Sequence, residues 1–187
     1  MAHYYDKKQD SEFVLNQFDC VINGKCYTFY TAPGVFSAKK LDFGTKVLVH
    51  NMQVKGRVLD LGCGIGIVGR IASEKATEVV MTDVNKRACK LAKMNCRKGK
   101  VLCGDMYEKI IGKFDVILFN PPQAVGKKIC FEMISKAKDY LVKGGSLQVV
   151  ARHNKGGKTF MLFMEKEFGN VDTLVKSGGY RVYISTI

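Results

Sequence analysis

The chain is poor in the features that mark membrane spans, metal sites and disulfide scaffolds. No apolar run approaches the ~20 residues that a membrane helix requires. The first residues, MAHYYDKKQDSEF, are polar and lack the apolar core of a secretory signal. A cytoplasmic protein without membrane contact is expected. Cysteine occurs an odd number of times, at Cys20, Cys26, Cys63, Cys89, Cys96, Cys103 and Cys130, and never as a CxxC pair. With only three histidines, none at zinc-ligand spacing, no metal site is expected, and the thiols read as reduced, mostly small core residues. Internal repeats, low-complexity tracts and linkers are absent, so residues 1–187 are expected to form one domain with a sizeable core.

Acids are scarce as well. Lys and Arg number 30 against 17 Asp and Glu, a net charge of +13, and residues 84–104 carry seven Lys or Arg with no acid. Such an excess favours an anionic partner, nucleic acid first, because released counterions reward the contact. Proline is scarcer still: of three in the chain, two are adjacent, in FDVILFNPPQ, residues 114–123. Phe114 to Phe119 reads as a buried strand. It stops at Asn120, and neither following proline has an N–H for a ladder, while each restricts the residue before it. A core strand that ends in an amide with a stiff exit calls for a reason beyond turning the chain.

The first 56 residues differ from the rest. CVINGKCYTFY places Asn23-Gly24 between two β-prone runs, a hairpin signal, and Asp42 to Met52 is weakly helical. From Arg57 onward strands and helices alternate. The strands are Arg57–Leu61, Glu78–Thr82, Lys100–Cys103, Phe114–Phe119 and Ser146–Ala151. Helical patterns run from an Asn85 cap to about Arg97, from Lys127 to Leu141 with a stop at Gly144-Gly145, and from Lys158 to Phe168. Val171–Val175 and Arg181–Ser185, around Ser177-Gly178-Gly179, predict a terminal hairpin. The fold class that follows is α/β, a Rossmann-like, doubly wound, mostly parallel sheet with an antiparallel C-terminal strand and an N-terminal hairpin and helix over 1–56.

VLDLGCGIGIVG, residues 58–69, runs a strand straight into Gly62, Gly64 and Gly66. Glycines there allow a tight turn and a close approach to a bound nucleotide. Asp83 ends the next strand, where an acid can accept both hydroxyls of a ribose. Gly64-x-Gly66-x-x-Gly69 also satisfies the dinucleotide fingerprint, so NAD competes. Three further features shift the balance: Asp60 two residues before Gly62, a second acid in Gly104-Asp105-Met106 placed for an adenine amino group, and the NPP strand end. Hydride transfer explains none of the three together. S-adenosylmethionine (AdoMet), with a ribose, an adenine and a cationic sulfonium, explains all of them.

With these motifs in place, the chain resembles class I AdoMet-dependent methyltransferases, and within them the methyltransferase small-domain family. That family includes the bacterial guanine-N2 methyltransferases of small-subunit ribosomal RNA and stand-alone archaeal relatives. The resemblance runs from PGVFSAKKLDFGTKVLV (residues 33–49) through the glycine loop, TDVN, GDMYE and FNPP to GGYRVY, nearly the whole chain. It implies a cofactor site formed by Asp60, Gly62, Cys63, Gly64, Gly66, Asp83, Val84, Asp105, Met106 and Asn120, and catalysis at Asn120, Pro121 and Pro122. An exocyclic amine is a poor nucleophile, because its lone pair is delocalised into the ring. The Asn120 oxygen and the Pro121 carbonyl can hold both N–H groups and aim that lone pair at the methyl.

Relatives usually carry an aromatic or apolar residue after NPP; here it is Gln123. Stacking against the base would then fall to Phe36 or Tyr180, with sheet packing an equal reading for Tyr180. Lys39, Lys127 and Arg152 are the cationic candidates for substrate contact, beside Gln123. The bacterial enzymes carry an additional N-terminal domain with no counterpart in these 187 residues, so RNA recognition would rest on residues 1–56, a basic face or a second subunit. The target expected is an exocyclic nucleobase amine in RNA, guanine N2 of small-subunit ribosomal RNA foremost. Adenine N6 in RNA or DNA, a protein glutamine amide, and a non-catalytic RNA-binding module with a relic pocket are the competing readings.

Overall fold

Asn23 and Gly24 both take positive φ, 50° and 76°, the backbone of a type I′ turn whose twist matches that of paired strands. They close the first hairpin, β1 (Asn16–Ile22) against β2 (Lys25–Thr31), with Ile22 opposite Lys25. The computed structural model describes residues 9, 11–122 and 126–187. After the hairpin come α1 (Phe43–Asn51), β3 (Arg57–Leu61), α2 (Ile67–Ala72), β4 (Glu78–Asp83), α3 (Lys86–Asn95), β5 (Lys100–Cys103) and β6 (Phe114–Phe119). The chain continues through α4 (Lys127–Lys136), a 3₁₀ turn at Ala137–Tyr140, β7 (Leu141–Arg152), α5 (Lys158–Phe168), β8 (Asp172–Ser177) and β9 (Tyr180–Thr186).

Seven strands form one sheet in the order β5-β4-β3-β6-β7-β9-β8. Neighbours from β5 to β7 are parallel, whereas β9 runs antiparallel to both β7 and β8. This is the doubly wound sheet expected, with its antiparallel C-terminal strand. The strand order reverses between β3 and β6, so a crevice opens beyond their carboxyl ends, where such folds bind ligands. Side-chain alternation divides the core between the two faces. Val58 joins Val47, Leu48, Ile71 and Leu91 on one side. Leu59 and Leu61 join Phe119, Ile134 and Met164 on the other. Asp60, between them in register with Met81 and Leu118, shares the face of Val58.

Two expectations change. Gly144-Gly145 does not stop a helix: α4 ends at Lys136 and both glycines lie inside β7. The register of β6 and β7 shifts between Phe114 and Val116 at that point, with Gly144 at φ 74°. A Cβ on Gly145 would come within 2.8 Å of the Val142 carbonyl oxygen. The pair therefore makes a bulge, which draws on the same permissive residue as a helix stop. The final strands also start and end differently, at Asp172–Ser177 and Tyr180–Thr186 rather than 171–175 and 181–185, which shortens the turn between them to two glycines.

Buried amides tie the N-terminal segment to the sheet. Gln148, fully buried, accepts from the Gln53 amide at 2.9 Å and donates to the Gln53 carbonyl at 2.7 Å. Asn95 accepts from the Tyr30 amide at 2.7 Å and donates to the carbonyls of Tyr30 and Ile65, each at 2.8 Å. One side chain thus joins β2, α3 and the glycine loop. Asn95→Ala is expected to cost about 2–3 kcal/mol by stranding these backbone groups, read as a lower urea midpoint with an unchanged slope. A shift below ~0.5 kcal/mol would show that the hairpin docks by other means.

Candidate active site

Beyond the carboxyl ends of β3, β4 and β6 lies a cavity of about 460 Å³, a size that suits a nucleoside-sized ligand. Its floor is the glycine loop. Gly66 sits at φ 83° as the residue capping α2, and a Cβ there would meet Ala92 of α3 at 3.0 Å. The Gly64 amide donates to Asp83 Oδ2 at 2.8 Å. Asp83 Oδ1 accepts from the Asn85 amide, also at 2.8 Å. Each carboxylate oxygen retains acceptor capacity towards the cavity, which both Asp83 and Gly64 line.

Asn85 caps α3 as expected, accepting from the amides of Arg87 and Ala88. It also donates to the Gly34 carbonyl at 3.0 Å, a contact the sequence does not announce. That bond brings the GVFS segment to the cavity, where Phe36 and Ser37 form part of the wall.

Asp60 is 3% exposed and accepts from the Gly69 amide at 2.8 Å. Burial pushes its carboxyl up to about 7 against the Gly69 bond, and the neighbouring Asp83 charge adds to the rise. The Asp83 carboxyl is likewise raised, mainly by burial, although three backbone amides oppose this. Burial holds the Cys63 thiol well above its ordinary value, so the residue lines the cavity as an inert apolar group. Asp105 is exposed at the rim, next to Met106 at φ 44°, whose carbonyl accepts from Thr82 Oγ1 at 3.4 Å. Asp60, Asp83 and Asp105 line this cavity, and no Lys or Arg does so among the described residues. In a chain of net charge +13, this is a local reversal of sign.

Asn120 enters from β6, with Pro121 buried behind it and Pro122 beside it. Its Nδ2 donates to Thr45 Oγ1 at 3.0 Å. Thr45 is itself placed by Asp42, which accepts from the Thr45 amide at 3.0 Å and from Ser37 Oγ at 2.8 Å. That bond engages one amide hydrogen and leaves Oδ1 and the second N–H of Asn120 for the cavity it lines.

Nine of the ten residues expected at the cofactor site line this one cavity: Asp60, Gly62, Cys63, Gly64, Asp83, Val84, Asp105, Met106 and Asn120; Gly66 does not line it and caps α2. The substrate candidates divide. Phe36 lines the cavity; Lys39, Lys127, Arg152 and Tyr180 do not. Lys39 and Lys127 are exposed. Arg152 and Tyr180 face each other at the β7–β9 pairing, and the Tyr180 ring packs on Phe43, centroids 5.5 Å apart. Sheet packing, not a place in the cavity, is what the structure shows for Tyr180. Gln123 lies outside the described residues. Missed in the sequence were Thr45, whose D-x-G-T setting was visible without its partner, and Ile129. The latter interrupts the polar face of α4 and stands with Phe36 among the large apolar groups around the cavity.

A doubly wound sheet with an acid-lined cavity at its switch point defines a Rossmann-like protein of the AdoMet-dependent methyltransferase fold. The family model described as methyltransferase small domain matches residues 26–184, and the chain belongs to that family. It is 36% identical over 171 residues to the ribosomal RNA small subunit methyltransferase C of Haemophilus influenzae, covering 83% of this chain and 50% of that protein. It is 31% identical over 192 residues to the uncharacterized protein YbxB of Bacillus subtilis, covering 96% of each. Among solved structures, it superposes with TM-score 0.83 and 26% identity on a 16S rRNA N2 guanine methyltransferase of T. thermophilus in complex with AdoMet and guanosine, covering 96% of this chain and 52% of that one. This chain therefore spans about half the length of those two ribosomal RNA methyltransferases.

Asp60 sets a pH signature. Unfolded, it ionises near 3.8, and folded near 7. Between these values the unfolded chain releases a proton that the folded chain keeps, so this group's contribution to stability falls as pH rises. Asp60→Asn keeps an acceptor for Gly69 and removes the titration. The melting temperature of the variant minus that of the parent should therefore grow from pH 4.5 to pH 8. A flat difference would show that the carboxyl is not held protonated by burial.

Proposed function

We propose that this chain is an AdoMet-dependent methyltransferase acting on an exocyclic amino group of a nucleobase in RNA, with guanine N2 of small-subunit ribosomal RNA as the leading target. The observation that carries the cofactor assignment is the sign of the cavity. A dinucleotide would bring a pyrophosphate to the start of α2, where helix amides usually receive it. Here the Gly69 amide of that first turn is already taken by the Asp60 carboxylate, and no cation lines the cavity among the described residues. A ligand with a sulfonium and an ammonium group finds in the same place three carboxylates to answer its charge.

In this reading Asp60 faces the ammonium at the methionine end, Asp83 accepts from the ribose hydroxyls, and Asp105 accepts from the adenine amino group at the rim. Gly62, Gly64 and Gly66 shape the floor, and Cys63, Val84 and Met106 supply apolar contact. When bound, AdoMet supplies an electrophilic methyl on sulfur. Asn120 Oδ1 and the Pro121 carbonyl hold the two N–H groups of the target amine, which favours a pyramidal nitrogen with its lone pair free for in-line attack. The proton then leaves a nitrogen made acidic by methylation, so no strong base is required. Pro121 and Pro122 restrict the backbone on one side of Asn120, while Thr45 restricts its amide on the other. Phe36 and Ile129 can take the apolar role that follows NPP in relatives. The guanine preference draws support from the ribosomal RNA methyltransferases to which the chain is similar and from the guanosine bound in one of them.

Two measurements test this. In calorimetric titration S-adenosylhomocysteine should bind and NADH should not; binding of NADH alone overturns the proposal. In label transfer from AdoMet to total RNA, Asn120→Ala should lower kcat on the order of 100-fold, with cofactor affinity little changed. Thr45→Val, which keeps shape and removes the hydroxyl, should lower kcat about 10-fold, or about 1.4 kcal/mol of barrier, leaving KM for AdoMet as in the parent. A loss of cofactor binding in either variant would show that these residues hold the cofactor rather than orient the amine.

A further inference from the structure

A second cavity, of about 270 Å³, opens two strands along the same sheet edge from Asn120. His153 and Asn154, just past β7, form one wall, and the β8–β9 turn with Lys176 and Arg181 forms the other. The His153 amide donates to the Gly179 carbonyl at 2.9 Å, and its ring Nδ1 is 2.7 Å from Tyr183 Oη. Strand end and turn are thus fixed to one another.

Residues 152–158 and 176–181 contribute Arg152, Lys155, Lys158, Lys176 and Arg181 and not one acid. None of the five joins an ion pair among the described residues. The crowding registers on His153, whose pKa is held below the usual imidazole value, first by burial and then by Arg181, Lys158 and Lys176. Cations from three elements converge there, an arrangement that an anion relieves. The seven cations of residues 84–104 are arranged differently. Arg87 and Lys90 of α3 turn onto the ring of Phe13, with charge-to-centroid distances of 5.6 and 4.3 Å.

The first turn of α1 joins the two cavities. Thr45 lines the first and holds Asn120. Phe43, two residues earlier, packs on Tyr180 and closes over Gly178, where a Cβ would come within 2.5 Å of its ring. With strands about 4.8 Å apart, the step from β6 across β7 to β9 is roughly 10 Å, within reach of the backbone of a strand whose base occupies the first cavity.

We propose that the basic cavity between the end of β7 and the β8–β9 turn binds the phosphate backbone of the substrate nucleic-acid strand, with Lys176 and Arg181 as its main contacts. This rests on the RNA substrate reading above. The test compares Lys176→Ala/Arg181→Ala with a matched control, Lys93→Ala/Arg97→Ala on the exposed face at α3. Each is titrated with a fluorescein-labelled single-stranded RNA oligonucleotide across a salt series, with S-adenosylhomocysteine affinity as the check on folding. The cavity pair should bind about 10-fold more weakly at 0.1 M salt, and its slope of log K against log salt should fall by about 1.4, two contacts at about 0.7 each. The control should change less than about 2-fold. Equal losses in both pairs, or none in the cavity pair, overturn the proposal. Methyl transfer separates the two readings. If the parent methylates RNA while the pairs do not differ, the cavity assignment alone fails. If no RNA is methylated while the pairs differ as stated, the cavity assignment stands and the RNA methylation reading fails.

Discussion

Asp83 holds two loops with one carboxylate, taking the Gly64 amide on Oδ2 and the Asn85 amide on Oδ1. The rest of the site can be traced outward from that grip. Asn85, set by Asp83, starts α3 and holds the Gly34 carbonyl. Gly34 leads into Phe36 and Ser37, and Ser37 leads by hydrogen bonds through Asp42 and Thr45 to Asn120. The cavity is thus rimmed by a polar chain that begins at the end of β4 and finishes at the end of β6. Among the described residues, no buried side-chain nitrogen or oxygen is left without a partner. Fully satisfied networks of this kind fix one geometry, whereas partly satisfied ones favour several.

Charge is sorted by depth. The chain has an excess of 13 positive charges, yet the cavity that would hold the cofactor presents three aspartates. Burying carboxylates without cationic partners is unfavourable, and the raised pKa values of Asp60 and Asp83 record that cost. A cationic cofactor relieves it on binding, and in the proposed reading the cations outside would draw a polyanion to the same edge of the sheet. On that proposal one edge would present opposite potentials to two ligands of opposite charge, so that neither competes for the other's place.

Much of this was legible in the sequence because it depends on local pattern. Asn23-Gly24 specifies its own turn, the glycine loop follows directly from its strand, and alternating apolar runs imply the doubly wound sheet. The failures share a physical cause. Gly144-Gly145 offers the same backbone freedom to a helix end and to a bulge, and only the pairing of β6 with β7 decides between them. Thr45 lies 75 residues from Asn120, and Gln53 lies 95 from Gln148. Contacts at such separation are made by topology, so no periodicity reports them. Tyr180 and Arg152 pair across β9 and β7, and neither lines the first cavity, an outcome that strand register decides and residue type does not announce.

The end of β6 bears on whether the site is a relic. A strand that merely turns needs neither a polar side chain at its tip nor a partner for it. Asn120 has both, and its partner is brought by a helix that precedes the whole sheet in sequence. The backbone beyond it is stiffened by Pro121 and Pro122, which donate no hydrogen bond and leave their carbonyls as acceptors. Rigidity at these two acceptors helps binding by lowering the ordering cost, but affinity tolerates small changes of angle. The proposed reaction would demand more of it, because a poor nucleophile must be held at one angle and small misplacements of the attacking atom cost far more in rate than in affinity.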